Sequence, residues 1–312
     1  MMMTINMMAI ILIVFISIAF FTLMERKIIS YSQNRKGPNK ASMTGIMQPM
    51  ADAIKLMNKE VNLNYKSNFF MFMLSPTVNI FCSGLMWFIY PSAFCFKFMK
   101  MSVLYIISCM SVNIIAVMAM SWSSNSNFSL LGMMRTISQL VSYEINLMMI
   151  ILLSINMSEQ MNLEHMKNLT QMSPMALMMT LIFMLWMITS LAETNRTPFD
   201  FSEGESELIS GFNIEFSGKS FMFVFLAEYS SILIMAMLTS TMFFSMTPMS
   251  HMFTPLYLTL CFTFVWTRTS LPRFRYDKLM AANWQQVLPV SMTALLVSFS
   301  LKLYYTKNYN QN

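Results

Sequence analysis

Glu193–Gly218, ETNRTPFDFSEGESELISGFNIEFSG, lies between two apolar runs, Pro174–Leu191 and Phe221–Met246. It holds Glu193, Asp200, Glu203, Glu205, Glu207 and Glu215, six of the chain's fourteen acidic residues, against one basic residue, Arg196. A polar connector between apolar segments is ordinarily a solvated surface loop. Three features argue for more than that. Phe199, Phe201, Phe212, Ile214 and Phe216 are interleaved with the acids, which suits packing better than solvation. Pro198, Gly204, Gly211 and Gly218 mark turns in a chain with only seven glycines. Glu193 stands at the end of an apolar run, where a carboxylate is poorly solvated, and carboxylates at a membrane edge often carry function.

Composition decides the class. Hydrophobic residues make up 56% of the chain and charged residues 11%, with a mean hydropathy of +0.53. Soluble domains carry about 25% charged residues, so this chain cannot clothe itself in a solvated surface. Eight apolar runs approach the roughly twenty residues needed to cross a bilayer. They are Met7–Met24, Phe69–Tyr90, Met101–Met120, Met133–Ile155, Pro174–Leu191, Phe221–Met246, Met252–Trp266 and Val287–Tyr305. Pro255 interrupts the seventh near its start. None of the runs alternates as a strand does, and backbone in lipid must pair within its own segment, so the spans are expected to be helices. The fold class expected is all-α: a polytopic membrane protein of one domain, residues 1–312, with about eight transmembrane helices.

Sorting the 20 Lys and Arg residues by alternate loops puts fifteen on one face and five on the other, which makes the first face the inner one. Glu193–Gly218 then lies inside and both termini lie outside. The inner segment 41–60, ASMTGIMQPMADAIKLMNKE, sets Ile46, Met50, Ala53, Ile54 and Met57 on one helical face, with Gln48, Asp52, Lys55 and Lys59 opposite. An amphipathic helix along the inner membrane surface is expected there.

Several chemistries are argued against. Four cysteines without a CxxC and two isolated histidines supply no zinc, haem or iron–sulfur site, and no metal site is expected in this chain alone. There is no GxGxxG or Walker loop. The charge of +6 comes from loops between spans, so no nucleic-acid partner is expected. Met1–Met24 has the features of neither a signal peptide nor a transit peptide. The 40 methionines are scattered and stand in for Ile and Leu.

Two carboxylates fall inside spans, Glu144 in RTISQLVSYEINLMM and Glu228 in FMFVFLAEYSS, while Glu25 and Glu193 guard the inner ends of the first and fifth. An ionisable group at mid-membrane costs about 2.5–3.5 kcal/mol by insertion scales, so it should face protein or water. Arg135, Gln139, Ser142 and Asn146 form a second polar stripe on the fourth span, opposite Glu144, which makes that span central in the bundle. Desolvation disfavours the charged form of a buried carboxylate and brings proton uptake within reach. Glu193, Glu228 and Glu144 could therefore pass protons from the acidic loop into the membrane.

Four blocks carry a family resemblance: ERKIISYSQNRKGPNK (Glu25–Lys40), SWSSNSNFSLLGMMRTISQLVSYE (Ser121–Glu144), LAETNRTPFDFSEGESELISGFNIEFSG (Leu191–Gly218) and RTSLPRFRYDKLM (Arg268–Met280), joined by AEYSSILIM (Ala227–Met235). The chain resembles the mitochondrially encoded chain 1 family of NADH–ubiquinone oxidoreductase, the membrane subunits of respiratory complex I that dock onto the peripheral arm. A genome reading AUA as methionine would give the methionine excess. The resemblance implies a mitochondrial inner-membrane subunit with its inner face toward the matrix and its termini in the intermembrane space. It implies part of an H+-translocating NADH:ubiquinone reductase, with no complete active site in this chain alone. It further implies ubiquinone as substrate, with iron–sulfur clusters, FMN and NADH held by partner subunits. Subunits of the peripheral quinone module and of the membrane arm, and membrane lipid, are the implied partners.

By position the resemblance places Glu25, Arg26, Arg35, Asp52 and Phe225 around the quinone channel. It places Glu193, Asp200, Glu203, Glu205, Glu207, Glu215, Glu228 and Glu144 along a coupling path, with Arg135, Arg196 and Arg275 as counter-charges. It implies too that quinone reduction rearranges Glu193–Gly218. Met133, Met134 and Lys219 depart from smaller or neutral residues common in relatives. Two rivals stay open on the residues alone. The related membrane subunit of a proton-pumping hydrogenase would tolerate RKGPN but not the full ETNRTPFD match. A stand-alone proton or cation transporter would call for an inverted internal repeat, which is not found.

Overall fold

Backbone groups in lipid must be satisfied within the segment that carries them, and among the described residues every long element is a helix. The structure is a computed structural model and describes residues 2–61, 65–90, 101–163, 174–201, 211–246 and 250–309. In order, the helices are α1 (Met2–Ser32), α2 (Gln48–Asn58), α3 (Phe69–Met86), α4 (Ser102–Ser124), α5 (Asn127–Ser158), α6 (Thr180–Glu193), α7 (Gly218–Met242), α8 (Phe253–Ser270), α9 (Tyr276–Ala282) and α10 (Leu288–Tyr309). Short 3-10 turns follow α3 and precede α2 and α7, and a one-turn helix, Met175–Met178, precedes α6. Six of these helical segments are long and apolar enough to cross a membrane. The apolar α6, of 14 residues, is shorter. At 1.5 Å per residue it covers about 21 Å, less than the roughly 30 Å hydrocarbon core.

Several boundaries differ from the apolar runs, for local reasons. The first helix continues eight residues past Met24 to Ser32, because ERKIISYS contains no glycine or proline to break it beyond the apolar run. Pro255 does not interrupt the seventh run. It sits in the first turn of α8, where a missing N–H costs nothing. The last run begins earlier than Val287: α9 passes through a π-helical segment, Asn283–Val287, into α10. Pro289 accounts for the widening, since its ring crowds the carbonyl four residues back, at Gln285, which lies within that segment. The 41–60 segment is helical only over Gln48–Asn58, with Pro49 in its first turn. Upstream of it, Ser42, Thr44 and Gly45 have positive φ and break the helix.

α5 and α7 form the centre. α5 packs against α4, α6 and α10, and α7 packs against α1, α2, α3 and α8. Gln139, Ser142 and Asn146 on α5 are buried, as the polar stripe requires. Ile46, Met50, Ile54 and Met57 on and beside α2 stay exposed, while Asp52 on the opposite side turns toward α1.

The 211–218 part of the Glu193–Gly218 stretch is held by close packing against its neighbours. A Cβ on Gly132 of α5 would stand 3.0 Å from the Gly211 Cα. Phe216 stacks on Phe72 of α3 with centroids 4.3 Å apart. Gly218 opens α7 with φ +60, and a Cβ there would lie 2.7 Å from the Lys59 carbonyl at the end of α2. Gly218→Ala is therefore expected to destabilise the fold by about 1–3 kcal/mol, combining left-handed strain with the carbonyl clash. The thermal inactivation midpoint of the purified complex measures this, and an unchanged midpoint would contradict the packing described.

Candidate functional site

The ETNR turn arranges the site. α6 ends at Glu193, and Asn195 adopts the left-handed conformation, φ 50, that closes a Schellman cap. The Arg196 N–H donates to the Leu191 carbonyl at 3.2 Å and the Asn195 N–H to the Ala192 carbonyl at 3.3 Å. Asparagine reaches αL more readily than most non-glycine residues, so the sequence folds here without a glycine. The cap leaves Glu193 on the helix end and turns Arg196 back across the bundle.

Arg196 arrives beside Glu25. The Glu25 side chain, on α1, is only 6% exposed. Tyr229 of α7 donates its hydroxyl to Glu25 Oε2 at 2.6 Å, and Arg268 of α8 binds Oε1. Arg196 Nη1 lies 3.7 Å from the same oxygen, and its guanidinium sits 4.4 Å from the centre of the Tyr229 ring. Four chain segments thus meet at one carboxylate. Phe221, Phe225 and Tyr229 form a ladder along α7, with Phe225 stacked 6.5 Å from Tyr229 and tilted against Phe221 at 4.4 Å. Phe21 of α1 meets Tyr229 edge-on at 5.9 Å. An aromatic wall therefore leads to Glu25.

On the other side of the turn is a cavity of about 70 Å³. Glu193, Thr194, Asn195, Glu228, Ser231, Asn79 and Asn113 supply its polar lining, and Met86, Met110, Ile114, Leu140 and Met235 much of its apolar one. The volume is well above the roughly 10–15 Å³ that admits a water. Glu193 Oε2, Asn195 Oδ1 and Asn113 Oδ1 are buried without a hydrogen-bond partner among the described residues, so the cavity suits water bridging them. Glu144 of α5 is half-buried and near enough to Glu193 for the two charges to interact.

Other expected residues take varied positions. Arg26 pairs with Asp52 at 2.5 Å, and Gln48 donates to the same carboxylate at 3.0 Å, joining α1 to α2. Arg35 is exposed beyond α1. Arg135 is half-buried on α5, one turn before Gln139, and Glu215 is half-buried near the start of α7. Glu203, Glu205 and Glu207 lie outside the described residues. Arg275 is not brought to the acid set among the described residues: it pairs with Asp277 at 3.0 Å across the first turn of α9, exposed to solvent. Arg273 reaches Asp200 instead, at 3.2 Å. Tyr229, Arg268, Arg273, Asn79 and Asn113 were not singled out from the sequence. The spacing of Phe221, Phe225 and Tyr229 at i, i+4 and i+8 could have flagged the tyrosine. The basic residues of RTSLPRFRYDK could not have been ranked without the fold. Among the described residues, no group of three or more His, Cys, Asp or Glu is placed to hold a metal ion.

The model of the NADH dehydrogenase family matches residues 5–299. The chain is 42% identical to a protein named NADH-ubiquinone oxidoreductase chain 1 from Locusta migratoria over 309 residues, 97% of each chain. It is 41% identical to the protein of that name from Anopheles quadrimaculatus over 292 residues, 94% of this chain and 93% of that one. A primate relative of the same name, from Sapajus apella, is 39% identical over 310 residues, 97% of each. Matched nearly end to end by the model and by these proteins, the chain belongs to the NADH dehydrogenase family and groups with its members named NADH-ubiquinone oxidoreductase chain 1.

Proposed function

We propose that this chain, a core membrane subunit of the proton-translocating NADH–ubiquinone oxidoreductase, walls part of the ubiquinone chamber and carries the effect of quinone reduction to carboxylates inside the membrane. The observation that carries the reading is the ETNR turn. Its Arg196 touches the Glu25 cluster, and its Glu193, three residues earlier, lines the cavity shared with Glu228. A hydrogenase subunit and a stand-alone transporter are both disfavoured by the family match.

In this reading Glu25, Tyr229 and Phe225 form the protein wall near the quinone headgroup, and Arg26, Asp52 and α2 border the channel mouth. Arg35 extends the basic inner face beside it. Electrons come from iron–sulfur clusters of partner subunits, supplied by NADH through FMN, and this chain contributes charge, shape and proton positions. Asp200, held by Arg273, and Glu215 belong to the acid set that feeds Glu193, to which Glu203, Glu205 and Glu207 are assigned by sequence alone. Water in the cavity would connect Glu193 with Glu228, and Glu144 lies next along the path. Arg135 and Arg196 balance these acids. Reduction of quinone changes the charge near Glu25, and the stretch 193–218 responds.

The topology follows the same logic. Arg26–Asp52, Arg268–Glu25 and Arg273–Asp200 join residues whose loops were all assigned to the inner face by charge, and Lys302–Glu159, at 2.9 Å, joins residues assigned to the other. We take the first face to be the matrix side of the mitochondrial inner membrane, with both termini in the intermembrane space.

Two measurements test the reading. Tyr229→Phe removes one hydrogen bond from Glu25 while keeping the ring under Arg196. It is expected to lower NADH–ubiquinone turnover by about tenfold, roughly 1.4 kcal/mol of barrier, while NADH oxidation by ferricyanide in the same complex is unchanged. Equal quinone turnover in variant and wild type would remove Tyr229 from the chamber wall. Glu193→Gln and Glu228→Gln are each expected to lower the number of protons moved per electron in proteoliposomes; retention of full stoichiometry by both, with the complex intact, sinks the proton path.

A further inference from the structure

Gln139 is fully buried in α5, with 0% exposure. Its amide nitrogen donates to two backbone carbonyls at 2.9 Å each, Ala192 and Phe199. The orientation of the amide is settled by chemistry, because an oxygen in that place would face two carbonyl oxygens. Both hydrogens of one side chain therefore bracket a single segment, Ala192–Phe199. Gln139 Oε1 has no hydrogen-bond partner among the described residues. A methionine or leucine would fill the same volume without leaving a buried acceptor unsatisfied. What the glutamine adds is donation to this segment.

The bracketed segment is the one that carries Glu193 to the cavity and Arg196 to Glu25. Tyr143, one turn along α5, packs its ring 6.2 Å from Phe199, so the same helix face seats the far end of the turn. Glu144 follows directly. We propose that Gln139 is a positioning residue for coupling: it ties the two ends of the ETNRTPF turn to α5, so that Arg196 and Glu193 keep one mutual arrangement and a change at Glu25 is passed to the cavity. This rests on the coupling function proposed above.

The test uses the assembled complex carrying Gln139→Leu or Gln139→Glu. The leucine removes both donors at similar volume. NADH oxidation by ferricyanide per assembled complex should be unchanged, while NADH–ubiquinone turnover and the protons moved per electron fall by about threefold or more at all pH values, as misplaced groups do. The glutamate carboxylate is repelled by both carbonyls, whereas its acid form restores one donor. Its deficit relative to wild type should therefore be smaller at about pH 6 than at about pH 8. A purely structural role lowers the amount of complex and leaves turnover and stoichiometry per complex intact, which overturns the proposal. Should the leucine variant fail to assemble, the glutamate variant decides: relief at acid pH upholds the proposal and a pH-independent deficit overturns it. Glu193→Gln serves as the control for the underlying reading. If it uncouples proton movement and the Gln139 variants do not, the positioning role alone fails; if it and Glu228→Gln both leave coupling intact, the path itself fails.

Discussion

A carboxylate withdrawn from water is stable only where donors and cations replace the solvent it has lost. Glu25 meets that demand with Tyr229, Arg268 and Arg196, drawn from α7, α8 and the turn after α6. The partners stand as many as 243 residues away in sequence. Their convergence forces the inner ends of α1, α7 and α8 together and obliges the ETNR turn to fold back over Tyr229. Removing Glu25 takes away the carboxylate that both guanidinium groups share, and removing Tyr229 or either arginine withdraws a donor or a cation from it, so the cluster is assembled as a whole.

Much of the architecture was legible in the sequence because a bilayer allows few solutions. Length and hydropathy locate the long apolar helices. The amphipathic pattern around Met50 and Ile54 survives in the structure as an exposed apolar face on α2. Other features depended on pairings that no local pattern encodes. RTSLPRFRYDK offers several arginines, and the sequence cannot say that Arg273 meets Asp200 while Arg275 closes on Asp277. Arg268 reaches Glu25 only because α8 packs beside α1. The π-helical segment ahead of Pro289 was legible in principle, since a proline inside a helix must displace the carbonyl four residues back. The break at Met179, φ −132 and ψ 63, has no glycine or proline to explain it.

The two halves of the site differ in how they satisfy polarity. Around Glu25, protein groups supply the donors directly. Around Glu193, buried oxygens of Glu193, Asn195 and Asn113 face a cavity that has room for water. A fixed ion cluster is suited to holding a charge state, and a hydrated cavity is suited to moving a proton, because water can both donate and accept. The ETNR turn is the boundary between the two environments.

That boundary is short enough for electrostatics to cross it. At 3.7 Å and an effective dielectric near 20, the attraction between Arg196 and a charged Glu25 is about 4–5 kcal/mol before desolvation is counted. Each backbone hydrogen bond of the Schellman cap contributes about 1 kcal/mol net. A change of charge beside Glu25 would thus perturb an interaction that is not small beside the hydrogen bonds of the cap. Held only by the cap, the turn would relax by local unwinding at Asn195, and the change would end there. With the Gln139 amide bonded at Ala192 and Phe199, unwinding must also break two buried hydrogen bonds to a central helix. Under the proposed coupling, the less costly response is for Arg196 and Glu193 to shift together, so that a change in quinone charge would be felt in the cavity that Glu228 shares.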